Sequence, residues 1–79
     1  MNETFRRQID IFNKTVRLQT VKILNHVTDI QDEYGTWYTI PYPEEELLQA
    51  LGNIIRIEYF KNDFGGNIIK NIIIPTDLK

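Results

Sequence analysis

Between residues 16 and 30 apolar and polar positions alternate, and the alternation changes phase once. Val16 and Leu18 share one parity, while Val21 and Ile23 share the other. Successive strand residues point to opposite faces, so such a flip marks one extra residue, as in a β-bulge or a sharp bend. The segment therefore reads as one long bent strand or two strands in close succession. Upstream, Phe5, Ile9, Phe12 and Val16 fall at i, i+4, i+7 and i+11, the stripe of an amphipathic helix. Asn2 suits its N-cap and Glu3 the positive end of its dipole. The spacing predicts a helix over 3–14.

Gln31 to Gly35 is polar and ends in glycine, a turn signal. In TWYTIPY, Tyr38, Ile40 and Tyr42 share the face expected in the core, with Trp37 and Thr39 on the other. Pro41 and Pro43 cannot donate to a ladder, which predicts an edge strand or one ending at Ile40. Pro43, three glutamates, Leu47, Leu48 and Leu51, then Gly52, spell a short helix over 43–51. NIIRIEYF and NIIKNIII flank KNDFGG, whose Asn, Asp and glycines mark a hairpin loop. Isoleucine on both parities predicts strands covered on both sides. It also makes NIIKNIIIP prone to aggregate when exposed, restrained by Lys70 and Pro75.

The order is helix, bent strand, short strand, short helix, hairpin. Carried by TVKILNHVTDIQDEYGTWYTI and LGNIIRIEYFKNDFGGNIIKNI, it resembles the oligonucleotide/oligosaccharide-binding (OB-like) barrels over residues 16–74. An SH3-like barrel, or an open antiparallel sheet with two helices on one face, fits the same order. The expected class is α+β: a small, strongly bent antiparallel sheet forming a partly open barrel. An N-terminal helix and a short helix before the C-terminal hairpin complete a single domain, 1–79, with its β-rich body at 16–75.

Seventy-nine residues leave room for one domain with a thin stability margin. Cysteine is absent, which removes disulfides and thiolate metal sites. The first ten residues lack the apolar run of a signal peptide, and apolar runs stop near three residues, so no membrane span is expected. A cytoplasmic address is the default.

The net charge of −2 is unevenly spread: +3 over 1–22, −6 over 23–50 and +1 over 51–79. That distribution bears on function. Catalysis is disfavoured, because serine and cysteine nucleophiles are missing. One histidine, His26, excludes a multi-histidine metal site, and on a strand His26 and Asp29 would face opposite sides. Neither Asp32 and Glu33 nor Glu44–Glu46 has a spacing that demands paired carboxylates. No metal and no cofactor is expected, and KNDFGGN lacks the spacing of a phosphate loop.

Two binding readings remain. Single-strand binders join a basic groove to rings that stack on bases. Arg17, Lys22, Arg56, Lys61 and Lys70 could line such a groove, with Trp37 and Tyr34 as the rings, and in an OB-like barrel the central strands would present it. Against it stand the negative net charge and the acidic surroundings of the aromatics. The favoured expectation is a non-enzymatic accessory or regulatory protein that binds a protein partner or self-associates, through Trp37, Tyr34 and β-edges. Thirteen isoleucines and seven asparagines suggest an AT-rich coding genome, as in a low-GC bacterium, phage or plasmid.

Overall fold

Five strands close on themselves in the order β1-β2-β3-β5-β4, with β4 returning to β1. The computed structural model describes residues 9–75. Within them lie β1 (Phe12–Ile23), β2 (Thr28–Asp32), β3 (Trp37–Ile40), β4 (Ile54–Lys61) and β5 (Asn67–Ile73). A 3-10 helix, Glu45–Ala50, joins β3 to β4.

β1 makes closure possible because it serves two neighbours. Phe12 to Arg17 pair with β4, and Leu18 to Ile23 pair with β2, with a register shift between Leu18 and Thr20. The shift falls where the alternation of the sequence changes phase. One extra residue bends the strand and raises its twist, turning its second half toward β2. A second irregularity lies between Glu58 and Tyr59, opposite Lys70. All pairings are antiparallel except β3 with β5, which is parallel through Thr39 and Ile68.

The expected α+β class is overturned: the described residues form a small closed β-barrel and contain no helix of seven or more residues. Of the helix expected over 3–14, residues 3–8 lie outside the described residues. Ile9 to Ile11 form no regular element, and Phe12 to Lys14 belong to β1. Phe12, Lys14, Val16 and Leu18 also fit a period of two, and pairing with Tyr59, Ile57 and Ile55 selects that period. The expected helix over 43–51 is the shorter 3-10 turn. Six residues are too few to repay α-helix nucleation, and Gly52 turns the chain back, its N–H donating to the Leu18 carbonyl at 2.8 Å. Nor is the sheet partly open.

The core comprises Val16, Leu18, Ile30, Tyr38, Ile40, Leu47, Ala50, Ile55, Ile57 and Ile69. Tyr38 and Ile40 point inward as their parity requires, but Tyr42 is 54% exposed. β3 ends at Ile40, and the Tyr42 carbonyl instead accepts the Thr28 hydroxyl at 2.9 Å. Strands covered on both sides are likewise not found. Ile54 and Ile73 lie exposed on the outer wall, and the irregularity opposite Lys70 lets both Ile69 and Ile72 face inward.

Candidate functional site

β3 and β5 run parallel and each follows a hairpin turn, so both turns emerge at the same end of the barrel. Just past the turns, Asn67 Nδ2 donates to the Trp37 carbonyl at 3.0 Å and ties the two strands together. The turns are one construction written in two sequences, Asp32-Glu33-Tyr34-Gly35-Thr36 and Asn62-Asp63-Phe64-Gly65-Gly66. In each, the first carbonyl accepts the glycine N–H, at 3.0 and 3.1 Å respectively. The first N–H donates to the fifth carbonyl, at 3.0 and 2.9 Å. The Oδ1 of the first side chain accepts the third and fifth N–H groups, at 2.9 and 3.0 Å from Asp32 and at 2.9 and 2.8 Å from Asn62.

The fourth residue has φ of 88° at Gly35 and 85° at Gly65, where only glycine is unstrained. A Cβ at Gly65 would meet open space, so conformation and not crowding calls for glycine there. With the turn backbone satisfied internally, the third side chain is held outward. Tyr34 is 77% exposed and Phe64 is 95% exposed.

Trp37 opens β3 beside these turns and is 41% exposed. Lys22 Nζ lies 5.1 Å from its ring centroid, within cation–π range. On the same outer wall, the Thr39 hydroxyl donates to Asp29 Oδ1 at 3.0 Å and the Thr20 hydroxyl to Gln31 Oε1 at 3.0 Å.

Beneath the turns the barrel is sealed by polar groups. Asp32 is buried, and its Oδ2 accepts the Tyr38 hydroxyl at 2.8 Å. Lys14 Nζ donates to the Tyr38 oxygen at 3.4 Å and lies 3.9 Å from Asp32 Oδ2. Burial pushes the Tyr38 hydroxyl above its ordinary pKa, and the hydrogen bond to Asp32 and its charge push it the same way. It therefore stays a donor to Asp32. Tyr59 meets the Tyr38 ring edge-on at 5.1 Å, and Phe12 covers Tyr59 at 5.4 Å. One carboxylate thus shapes the Tyr34 turn with one oxygen and closes the core with the other.

The candidate residues read from the sequence divide between regions. Tyr34 and Trp37 meet at this end, with Lys22 over the indole and Lys61, the last residue of β4, bonded to Asn67 Oδ1 at 3.0 Å. Arg17 and Arg56 lie on the outer wall of β1 and β4, where Arg17 Nη1 donates to the Gly52 carbonyl at 2.8 Å. Lys70 is exposed on β5 beyond the irregularity. The five bases do not line one groove. His26 lies in the β1–β2 loop, and Asp29 is engaged by Thr39. Asp32 and Glu33 precede β3 while Glu44–Glu46 follow it, which sets the two carboxylate groups at opposite ends of that strand.

Phe64 was not among the sequence candidates. Its signal is the likeness of NDFGG to DEYGT, in which an Asx residue, an acid, an aromatic and glycine recur in order. Among the described residues no helix is long and apolar enough to cross a membrane. Compared with protein-family models, curated proteins and solved structures, the chain matches none.

Proposed function

We propose that this chain is a non-enzymatic binding protein that engages a protein partner through the end carrying Tyr34, Trp37 and Phe64. The observation behind this reading is the repeated turn, which spends internal hydrogen bonds on holding two rings in solvent. Phe64, at 95% exposure, has almost no wall beside it, so it serves as a knob for a partner's pocket and not as part of a pocket itself. Aromatic side chains of this kind anchor interfaces, because each carries a large apolar area at little rotamer cost.

Single-stranded nucleic acid is the second reading, favoured by the three rings and by Lys22 and Lys61 beside them. The carboxylates of Glu33 and Asp63 in the two turns oppose phosphate, and the other bases lie on other walls.

Capture from a lysate should compare the wild type with Tyr34→Ala/Phe64→Ala. A protein held by the wild type and lost with the double variant, which still folds, supports the reading. Capture that survives both substitutions overturns it. Labelled oligonucleotide that binds at low salt and is released as salt rises would favour the second reading.

A further inference from the structure

Beside the aromatic turns, the first half of β1 has an edge that no strand takes. Successive strand residues direct their N–H and C=O groups to opposite edges. Leu18 directs its groups to the β4 side, donating to the Asn53 carbonyl at 2.9 Å and accepting the Gly52 N–H at 2.8 Å. Phe12, Lys14 and Val16 share that parity and pair with Tyr59, Ile57 and Ile55. Asn13, Thr15 and Arg17 therefore direct theirs to the other edge. There β2 stops at Asp32, opposite Leu18, so among the described residues no strand reaches Phe12 to Arg17 on that side. The Arg17 N–H is met by a side chain instead, donating to Glu33 Oε1 at 2.8 Å. Beyond it the edge groups of Thr15 and Asn13 meet no partner among the described residues, and both residues are exposed.

We propose, resting on the reading of the aromatic end as a protein-binding surface, that the partner docks as an extended segment adding a strand to this edge of β1. The position selects that occupant. Glu33 precedes Tyr34 in its turn, and Phe12 pairs with Tyr59 near the end of β4 from which the Phe64 turn leaves. The open edge therefore starts at one ring-bearing turn and leads toward the other, so a bound strand and the rings belong to one contact. The edge is short, so its backbone bonds hold little by themselves and the rings supply the anchor. The two faces of β1 set the pattern of the segment. Phe12, 40% exposed, lies on the inner parity, while exposed Asn13, Thr15 and Arg17 lie on the outer. A segment that alternates apolar and polar residues matches both.

Amide exchange on the free protein, followed by capture, tests this. In the free chain the Asn13 and Thr15 amides should exchange quickly and those of Lys14 and Val16 slowly, since only the latter bond to β4. The probe for capture is the lysate protein that the wild type retains and Tyr34→Ala/Phe64→Ala loses. Thr15→Pro removes an edge N–H without touching the ladder to β4. It should fold, as thermal melts check, and weaken capture of that protein about tenfold. Thr15→Ala keeps the N–H and should leave capture unchanged. Where Thr15→Pro does not fold, Asn13→Pro repeats the test at the next outward residue. Slow exchange at Asn13 and Thr15 in the free chain overturns the inference, because the edge is then already taken. Capture indifferent to the proline but lost with the rings also overturns it, and leaves partner binding at the aromatic end standing. With no protein lost by the ring variant, both fall.

Discussion

The two ends of the barrel solve the same problem, closing a small core against water, with opposite materials. At the end that holds the 3-10 helix, Leu47 and Ala50 plug the opening and are fully buried. Thr28 staples the chain there, donating to the Tyr42 carbonyl and accepting the Glu44 N–H at 2.7 Å. At the other end the seal is Asp32, Tyr38 and Lys14, and the apolar rings of the turns stand in solvent. An apolar plug must bury its side chains to contribute. A polar seal contributes through directed hydrogen bonds, so the segment it caps is free to turn its rings outward. Core stability and the outward placing of the rings are thus coupled at the aromatic end through Asp32, and separate at the helical end.

Substitution can break that contrast, and the largest effect belongs to Asp32→Ala. It leaves the Tyr34 and Thr36 N–H groups and the Tyr38 hydroxyl without their acceptor, and should cost about 4 kcal/mol by denaturant unfolding. Amide exchange should then rise in the Tyr34 turn and in the core together; a rise confined to the turn would refute the coupling. Leu47→Ala should cost about 3 kcal/mol through the cavity it leaves, with exchange in both aromatic turns unchanged.

Tyr38→Phe should cost about 2 kcal/mol, because a buried carboxylate oxygen loses its donor. Tyr38 also carries a pH signature. Its pKa is raised in the folded protein relative to about 10 in the unfolded chain. The stability this brings is complete below that unfolded value and is lost as pH rises from it through the folded value. Alkaline melts of Tyr38→Phe should therefore fall less steeply than those of the wild type; identical slopes would remove Tyr38 as the cause.

Gly65→Ala should cost about 1 kcal/mol from the positive φ alone. Smallest of all, Phe64→Ala should move stability by no more than about 0.5 kcal/mol, since the ring has almost no contacts to lose. A larger loss would mean that Phe64 packs against the barrel instead of projecting from it.

Local chemistry was readable without coordinates. The phase change between Leu18 and Val21 marked the irregularity in β1, because parity belongs to the backbone of any strand. A polar run ending in Gly35 marked the first turn, and Asn, Asp and glycines marked the second as a hairpin, since their hydrogen bonds and positive φ are made within five residues. Trp37 was expected outside and Tyr38 inside for the same reason of parity. What depended on distant partners was misread. The stripe Phe5, Ile9, Phe12 and Val16 suits a helix until β4 offers Phe12 to Arg17 a ladder. Tyr42 has the parity of the core, but its strand ends before it, where Thr28 takes its carbonyl.

Turns, bulge and strand parity are thus matters of a few neighbouring residues and are written in the chain itself. That the sheet closes, that β3 and β5 lie parallel and side by side, and that Tyr34 and Phe64 therefore stand at one end emerge only in the folded barrel. Closure depends on hydrogen bonds between segments far apart in the chain, and no local pattern encodes which strand a free edge will meet.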